Sequence, residues 1–452
     1  MSDSRARRDA KGLSVIDGVA VMVGIVLGIG IFKTPSLVAA NVGGEVEFIA
    51  VWLVGGLITL CGALCYAELA VTHPSSGGEY HFLSRAYGPR LAVLFAWARG
   101  TVIQTGAIAA VAFVYGDYAQ SLLPLGPYGL AIHAAIIIVA ITALNMWGTR
   151  HSSLGQRGFT LLTLVAVAVV IAAGFLSFGA ALPEPESTAR PADSALGMAM
   201  VFVLLTYGGW SEAVYLSGEM RDVQRSMKLT LIFGTGVVVL VYGAFNLALL
   251  NAFGLDGLRA TATPATDLMG GLGGGMGEVL LSVVVCIMAI STLNGTVITG
   301  ARAFHALGRD LPMLGFLARS NLAPDGAPPL AALAVQGAIA LALVLFGALT
   351  RDGFQAMVDF TAPVFWSFLL LVSLSLFLFR WREPNYPRPF RVPFYPVVPA
   401  LFSLACAGLL YASLAYTGLG ALVGVGIVLA GLPLLAFVRT PAEAGLAPGA
   451  AE

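Results

Sequence analysis

The feature that most constrains this chain is a series of long apolar runs. A helix needs about 20 predominantly apolar residues to cross the hydrocarbon core of a membrane. Twelve such runs occur, at 14–40, 46–72, 91–118, 128–148, 155–180, 196–218, 229–250, 279–305, 329–349, 354–379, 395–416 and 419–438. Backbone amides and carbonyls in lipid must be satisfied internally, so the fold expected is an all-α polytopic membrane protein of twelve transmembrane helices. Composition agrees: 58% of the 452 residues are apolar and 11% are charged, which excludes an ordinary soluble domain. The loops near 73–90, 181–195, 251–278 and 306–328 are too short, and too polar or glycine-rich, to hold a separate core.

Basic residues set the orientation. With the N-terminus inside, the inner segments carry 19 Lys and Arg side chains and the outer segments carry three, Arg190, Arg259 and Arg351. The asymmetry persists through every loop, so both termini, with tails at 1–13 and 439–452, are expected on the cytoplasmic side of the cytoplasmic membrane. The basic start followed by an apolar run imitates a signal peptide, but the run is longer than the apolar core of one and reads as an uncleaved first span. Cys61, Cys65, Cys286 and Cys406 all fall inside spans and read as small buried residues, without a disulfide framework or a metal site.

The first run contains "GIVLGIGIF", Gly24 to Phe32, with three glycines where a helix should be strongest. Glycine costs about 1 kcal/mol relative to alanine inside a helix, so these residues either serve close packing or break the helix. "LTYGGW", Leu205 to Trp210, interrupts span 6 in the same way. Spans 1 and 6 hold corresponding positions in two successive five-span halves, 14–180 and 196–379, followed by two further helices at 395–438. Interrupted segments at matching places point to an inverted-repeat transporter with its site at the midplane. Unwound backbone at that depth is tolerable where it lines a cavity. One broken end offers carbonyls and the next offers amides, which suits a zwitterion: carboxylate on the amides, ammonium on the carbonyls. Close packing of small residues is the alternative reading of the same glycines.

Five motifs, in order, resemble the amino acid, polyamine and organocation (APC) superfamily, in particular bacterial amino acid permeases related to the L-type amino acid transporters. They are "GIGIFxTP" at 28–35, "YAELAxxxPSSGGEYxFLxxAYG" at 66–88, "YGGWxxxxYLSGE" at 207–219, "LNGxxxxxxR" at 293–302 and "PxxPRPFRVPFYP" at 384–396. The resemblance covers nearly the whole chain and implies the APC fold of two inverted five-helix repeats plus two C-terminal helices. It also implies that the substrate carboxylate is held by the amides of Ile29, Gly30 and Ile31, after Gly28. The ammonium is then held by the carbonyls of Val26, Leu205 and Gly208, next to Gly209. Relatives often place an aromatic gate at the position of Leu205 and a serine at that of Ile29, so here the gate is aliphatic and carboxylate binding falls to the backbone alone. Many relatives also carry a span 5 lysine that substitutes for sodium, whereas "QRGFTLLT" places Thr163 there. Lysine-dependent coupling therefore does not carry over. Thr163, Ser291 and Thr292 are candidate sodium ligands, against the alternative that such hydroxyls bond their own helices. The outer loop "SLLPLGPYG" lacks the cysteine by which heteromeric relatives bond an ancillary chain, so no disulfide-linked ancillary subunit is expected.

Ionisable groups within spans are functional candidates because burying them is expensive. Glu212, just after the span 6 break, contacts a cationic substrate, takes up a proton, or is satisfied by amides at the start of the new half-helix; the last is favoured. Arg99, two turns into span 3, snorkels or pairs with a carboxylate at an inner gate, and Lys33 is expected to snorkel outward. Gln104 faces the substrate or makes a packing hydrogen bond. Glu68 is expected to salt-bridge the basic inner loops, and "PNYPRPFRVPFYP" reads as a stiff interfacial loop. No HExxH, CxxC or carboxylate pair of catalytic spacing occurs, so neither an enzyme, a cofactor nor a nucleic-acid partner is expected. The expectation is a secondary transporter of amino acids working by alternating access between spans 1, 3, 6, 8 and 10. A neutral substrate is favoured over cationic amino acid or polyamine exchange, or sensing without transport. A proton or a sodium ion is the candidate coupling ion.

Overall fold

The computed structural model describes residues 14–75, 77–147, 153–177, 195–220, 223–318, 329–349, 352–416 and 418–438. The expected tails at 1–13 and 439–452, nearly all of the loop 181–195, and Arg150, Arg190, Arg221, Arg319 and Arg351 lie outside these residues.

The fold is all-α. Among the described residues, eleven helices are long and apolar enough to cross a membrane: Glu45–Thr72, Pro89–Leu122, Gly129–Met146, Gly158–Leu176, Leu196–Val214, Arg225–Ala260, Pro264–Arg309, Leu330–Ala348, Gly353–Arg382, Val397–Tyr416 and Leu419–Phe437. They follow the expected spans 2 to 12 in order. Span 1 is absent from that set for a physical reason: it is divided into Val15–Val26, a 3-10 turn Ile29–Phe32, and Thr34–Ala40, so its longest piece has 12 residues. Below, inner and outer denote the two faces as expected from the loop charges.

The largest departure from expectation lies in 251–278, read as a loop. Helices Val223–Ala260 and Pro264–Asp310 run through most of it, each turned at a glycine with positive φ, Gly254 (62°) and Gly274 (61°). These glycines redirect helices rather than ending them. The outer piece is pinned by Arg259, which donates to the carbonyls of Ala39 and Val42 at 3.0 and 2.5 Å, and by Asp267, which accepts from the Thr261 hydroxyl.

Leu53, Leu57, Leu240, Leu401 and Leu404 are each more than half exposed on the outside of the bundle. Facing lipid, leucine carries no penalty, and close helix contact is made by small residues instead. In span 2 a Cβ on Gly56 or Gly62 would collide with Val239 or Phe402. Spans 3 and 6 are central, each with 67% of its most apolar window buried, against 22% for span 12. Span 3 is also irregular: a π-helical segment, Arg99–Gln104, separates Pro89–Ala98 from Thr105–Leu122. On the inner face the short helix Gly78–Tyr87 joins spans 2 and 3. Glu68, 1% exposed, accepts from Arg380 at 2.8 and 2.6 Å and from the Val392 amide at 2.6 Å, tying the loop before span 11 to span 2 as expected.

Candidate functional site at the breaks of spans 1 and 6

The three glycines of the Gly24–Phe32 stretch do two different jobs. A Cβ on Gly24 would lie 2.7 Å from the Thr160 hydroxyl, so this glycine is a packing contact with span 5. At Gly28 and Gly30 the nearest atoms to such a Cβ, the Val26 carbonyl and the Thr206 methyl, are 3.9 Å away. An added methyl would thus meet one atom at ordinary contact distance at each, so close packing does not explain these two, and they mark the break. Gly28 is extended and no side chain caps the turn that follows. The amides of Ile29 and Gly30 open that turn with no carbonyl three residues back inside it to receive them, whereas the Ile31 amide has the Gly28 carbonyl as its partner, so Ile31 is corrected as a carboxylate donor.

Span 6 breaks by a different device. Leu196–Thr206 gives way to a turn and then to a 3-10 helix, Trp210–Glu219, again without a side-chain cap. Gly209 has φ 97°, and a Cβ there would also press on the Ile25 side chain at 3.2 Å, so glycine is required twice over. At Gly208 a Cβ would lie 2.7 Å from the Leu205 carbonyl oxygen.

The two breaks meet. The Thr206 hydroxyl lies 2.9 Å from that of Thr34, which donates to the Gly30 carbonyl at 2.9 Å. From span 7 the Tyr242 hydroxyl reaches the Val26 carbonyl at 2.6 Å and the Thr206 carbonyl at 3.3 Å. Trp52, Tyr207 and Tyr242 back this junction as an aromatic cluster with ring centroids 5.1 to 6.3 Å apart. One expectation is corrected here. The Val26 carbonyl was expected to be open to an ammonium, but it accepts both Tyr242 and the Gly28 amide, the latter at 2.6 Å, which uses its two lone pairs. Leu205 is half-buried beside the break, and its carbonyl accepts the Gly208 amide at 3.0 Å and the Tyr207 amide, so by the same count it too is not open to an ammonium.

Charged groups flank the junction on both sides. Arg99 pairs rather than snorkels: one guanidinium nitrogen donates to both Glu212 oxygens at 2.7 and 2.8 Å, and another donates to Glu79 at 3.1 Å. Tyr66 donates to the other Glu79 oxygen at 2.8 Å. Glu212 therefore does not cap its own helix start; a charged guanidinium nitrogen shared by both its oxygens is the stronger partner. Lys33 is not at the surface but forms a buried ion pair with Asp117 at 2.9 Å. The sequence reading missed Asp117 and Glu79, although an acid inside "FVYGDYAQ" was a visible signal for the first. Gln104 donates to the Thr299 hydroxyl at 2.7 Å, joining span 3 to span 8. Thr163 and Thr292 donate to the carbonyls of Phe159 and Met288 in their own helices at 3.0 and 3.1 Å, while Ser291 is half-buried on span 8. On the inner loops, burial and then Arg85 push the His73 imidazole down to about 4, so it adds no charge to that face at neutral pH.

A family model described as amino acid permease matches residues 13–436. The serine/threonine exchanger SteT of Bacillus subtilis is 27% identical over 435 residues, covering 94% of this chain and 96% of the relative. The large neutral amino acids transporter small subunit 2 of Homo sapiens is 28% identical over 444 residues, covering 94% and 79%. The b(0,+)-type amino acid transporter 1 of Mus musculus is 28% identical over 410 residues, covering 87% and 81%.

Proposed function

The chain belongs to the amino acid permease family, and from that premise we propose that it is a secondary transporter, not an enzyme, that moves neutral amino acids by alternating access around the facing breaks of spans 1 and 6. The observation that carries the reading is the uncapped turn Ile29–Phe32 at the loosely packed Gly28 and Gly30, set against the second break at Gly208 and Gly209. The substrate carboxylate takes the amides of Ile29 and Gly30, and the ammonium takes the carbonyl of Gly208. The side chain meets aliphatic and backbone groups, with Leu205 as the cover.

Neutrality follows from Glu212. Its charge is already matched by Arg99, so a cationic side chain would have to displace that guanidinium. Two of the relatives' names specify neutral substrates, which supports the same choice. In this reading the divided segment 15–40 crosses as span 1 and brings the count to twelve, the repeats are 14–180 and 196–379 with spans 11 and 12 at 395–438, and both termini face the cytoplasm from the cytoplasmic membrane. No span 5 ammonium takes part in coupling, sodium is not held at Thr163, Ser291 and Thr292, and no ancillary chain is bonded by a disulfide.

The test is uptake of a panel of labelled amino acids into proteoliposomes, with and without proton and sodium gradients. Neutral amino acids are expected to enter, and their methyl esters to compete at least about thirtyfold less well, because a buried amide cluster left without its partner costs about 2 kcal/mol. Preferential uptake of arginine or a polyamine would replace this reading with the cationic exchanger.

A further inference from the structure

Span 3 grips the span 1 turn from the outer side through two consecutive residues. Asp117 meets Lys33 at 2.9 Å with side chains only 11% and 7% exposed. The Tyr118 hydroxyl, fully buried, donates to the Phe32 carbonyl at 3.1 Å. Lys33 is part of the turn it closes, since its amide donates to the Gly30 carbonyl at 3.0 Å. Behind the pair, Phe32 packs edge-on against Phe245 with ring centroids 5.5 Å apart. Asp352, the other carboxylate that bears on Asp117, caps span 10 through the Gln355 amide at 3.0 Å.

We propose that Lys33 and Asp117 form a buried latch that positions the carboxylate-binding turn against span 3 and shuts the outer face, so that outward opening requires this pair to part. The assignment rests on the reading that the substrate carboxylate sits on that turn. Lys33 and Asp117 are positioning residues and do not touch the substrate. Two buried charges are compensated when they are paired, and compensated again when water reaches both. A half-separated, dry pair has neither. The latch therefore favours two arrangements, closed and fully open, over any between them.

Ser36 supplies a reporter. It is buried on the outer half of span 1 with an unpartnered hydroxyl, and Ser36→Cys is nearly isosteric. In proteoliposomes, labelling by a membrane-impermeant maleimide from the outer side is measured, and the rate of the parent protein with its own cysteines is subtracted. Lys33→Met and Asp117→Asn are each expected to raise the rate about tenfold, and Lys33→Arg to keep it within about twofold. Unchanged labelling in Lys33→Met and Asp117→Asn proteins that still bind a neutral amino acid overturns the latch. Should either single variant fail to fold, the swapped pair, Lys33→Asp with Asp117→Lys, decides: slow labelling is expected, and fast labelling overturns the proposal. Methyl-ester competition on the parent protein judges the carboxylate site separately. An ester as good as the acid would remove that site and leave labelling to judge the latch.

Discussion

The two charge clusters on span 3 hold opposite ends of the same post and are built differently. The outer one is a one-to-one pair, Lys33 with Asp117, dry and electrically closed. The inner one shares a single guanidinium, Arg99, between Glu79 on the connecting helix and Glu212 on span 6, and the Glu212 side chain is 32% exposed. A one-to-one buried pair is made or broken as a whole. A shared arginine can release Glu212 and keep Glu79, so the inner face can loosen by steps while the outer face cannot.

The largest expected effect comes from Arg99→Leu, which strands two carboxylates at once. Uptake is expected to fall about a hundredfold or more, with a lower melting temperature. If uptake and melting both stay near the parent values, the inner cluster is only a surface pair. Next in size is a contrast in span 1: Gly30→Leu, whose first carbon meets no clash, crowds the turn and should abolish binding in a folded protein, whereas Gly24→Leu collides with Thr160 and should fail at folding. Circular dichroism beside substrate binding separates the two outcomes. A smaller effect is expected for Glu212→Gln, which leaves Arg99 on Glu79: neutral amino acid uptake should stay within about fivefold, against about tenfold for Asp117→Asn. Equal losses in these two variants would erase the distinction between a stepwise inner cluster and an all-or-none outer one. The smallest is Thr163→Ala, where a hydroxyl bonded to its own helix is removed; uptake should change by less than about twofold with or without sodium.

The apolar runs and both breaks were legible because each is written locally, as length and as glycine in the wrong place. The separate jobs of Gly24 and Gly30 were not, since Thr160 and Thr206 come from other spans. Arg99 and Glu212 stood out singly as ionisable groups in apolar surroundings, yet nothing in the sequence pairs residues 113 apart. Lys33 misled because snorkelling assumes water is the nearest partner, and Asp117 is nearer. Tyr242 gave no signal at all: in an apolar run a tyrosine reads as packing, and its value lies in one hydroxyl reaching two helix ends.

The π-helical segment Arg99–Gln104 lies between the two charge clusters. A bulge of this kind accommodates one residue more than a regular helix, and each residue advances the helix by about 100°. Arg99 opens the segment and Asp117 lies beyond it, so the wide turn takes up the extra residue locally and the two clusters keep their bearings. Deleting one residue there would make span 3 regular with Arg99 still facing Glu212 and Asp117 still facing Lys33, whereas one residue added to Thr105–Leu122 ahead of Asp117, with that helix kept regular, would swing the carboxylate about 100° away from Lys33. In descent, the insertion and the outer pair are therefore separable: a lineage whose third span is one residue shorter at this point is expected to keep the arginine, the lysine and the aspartate alike.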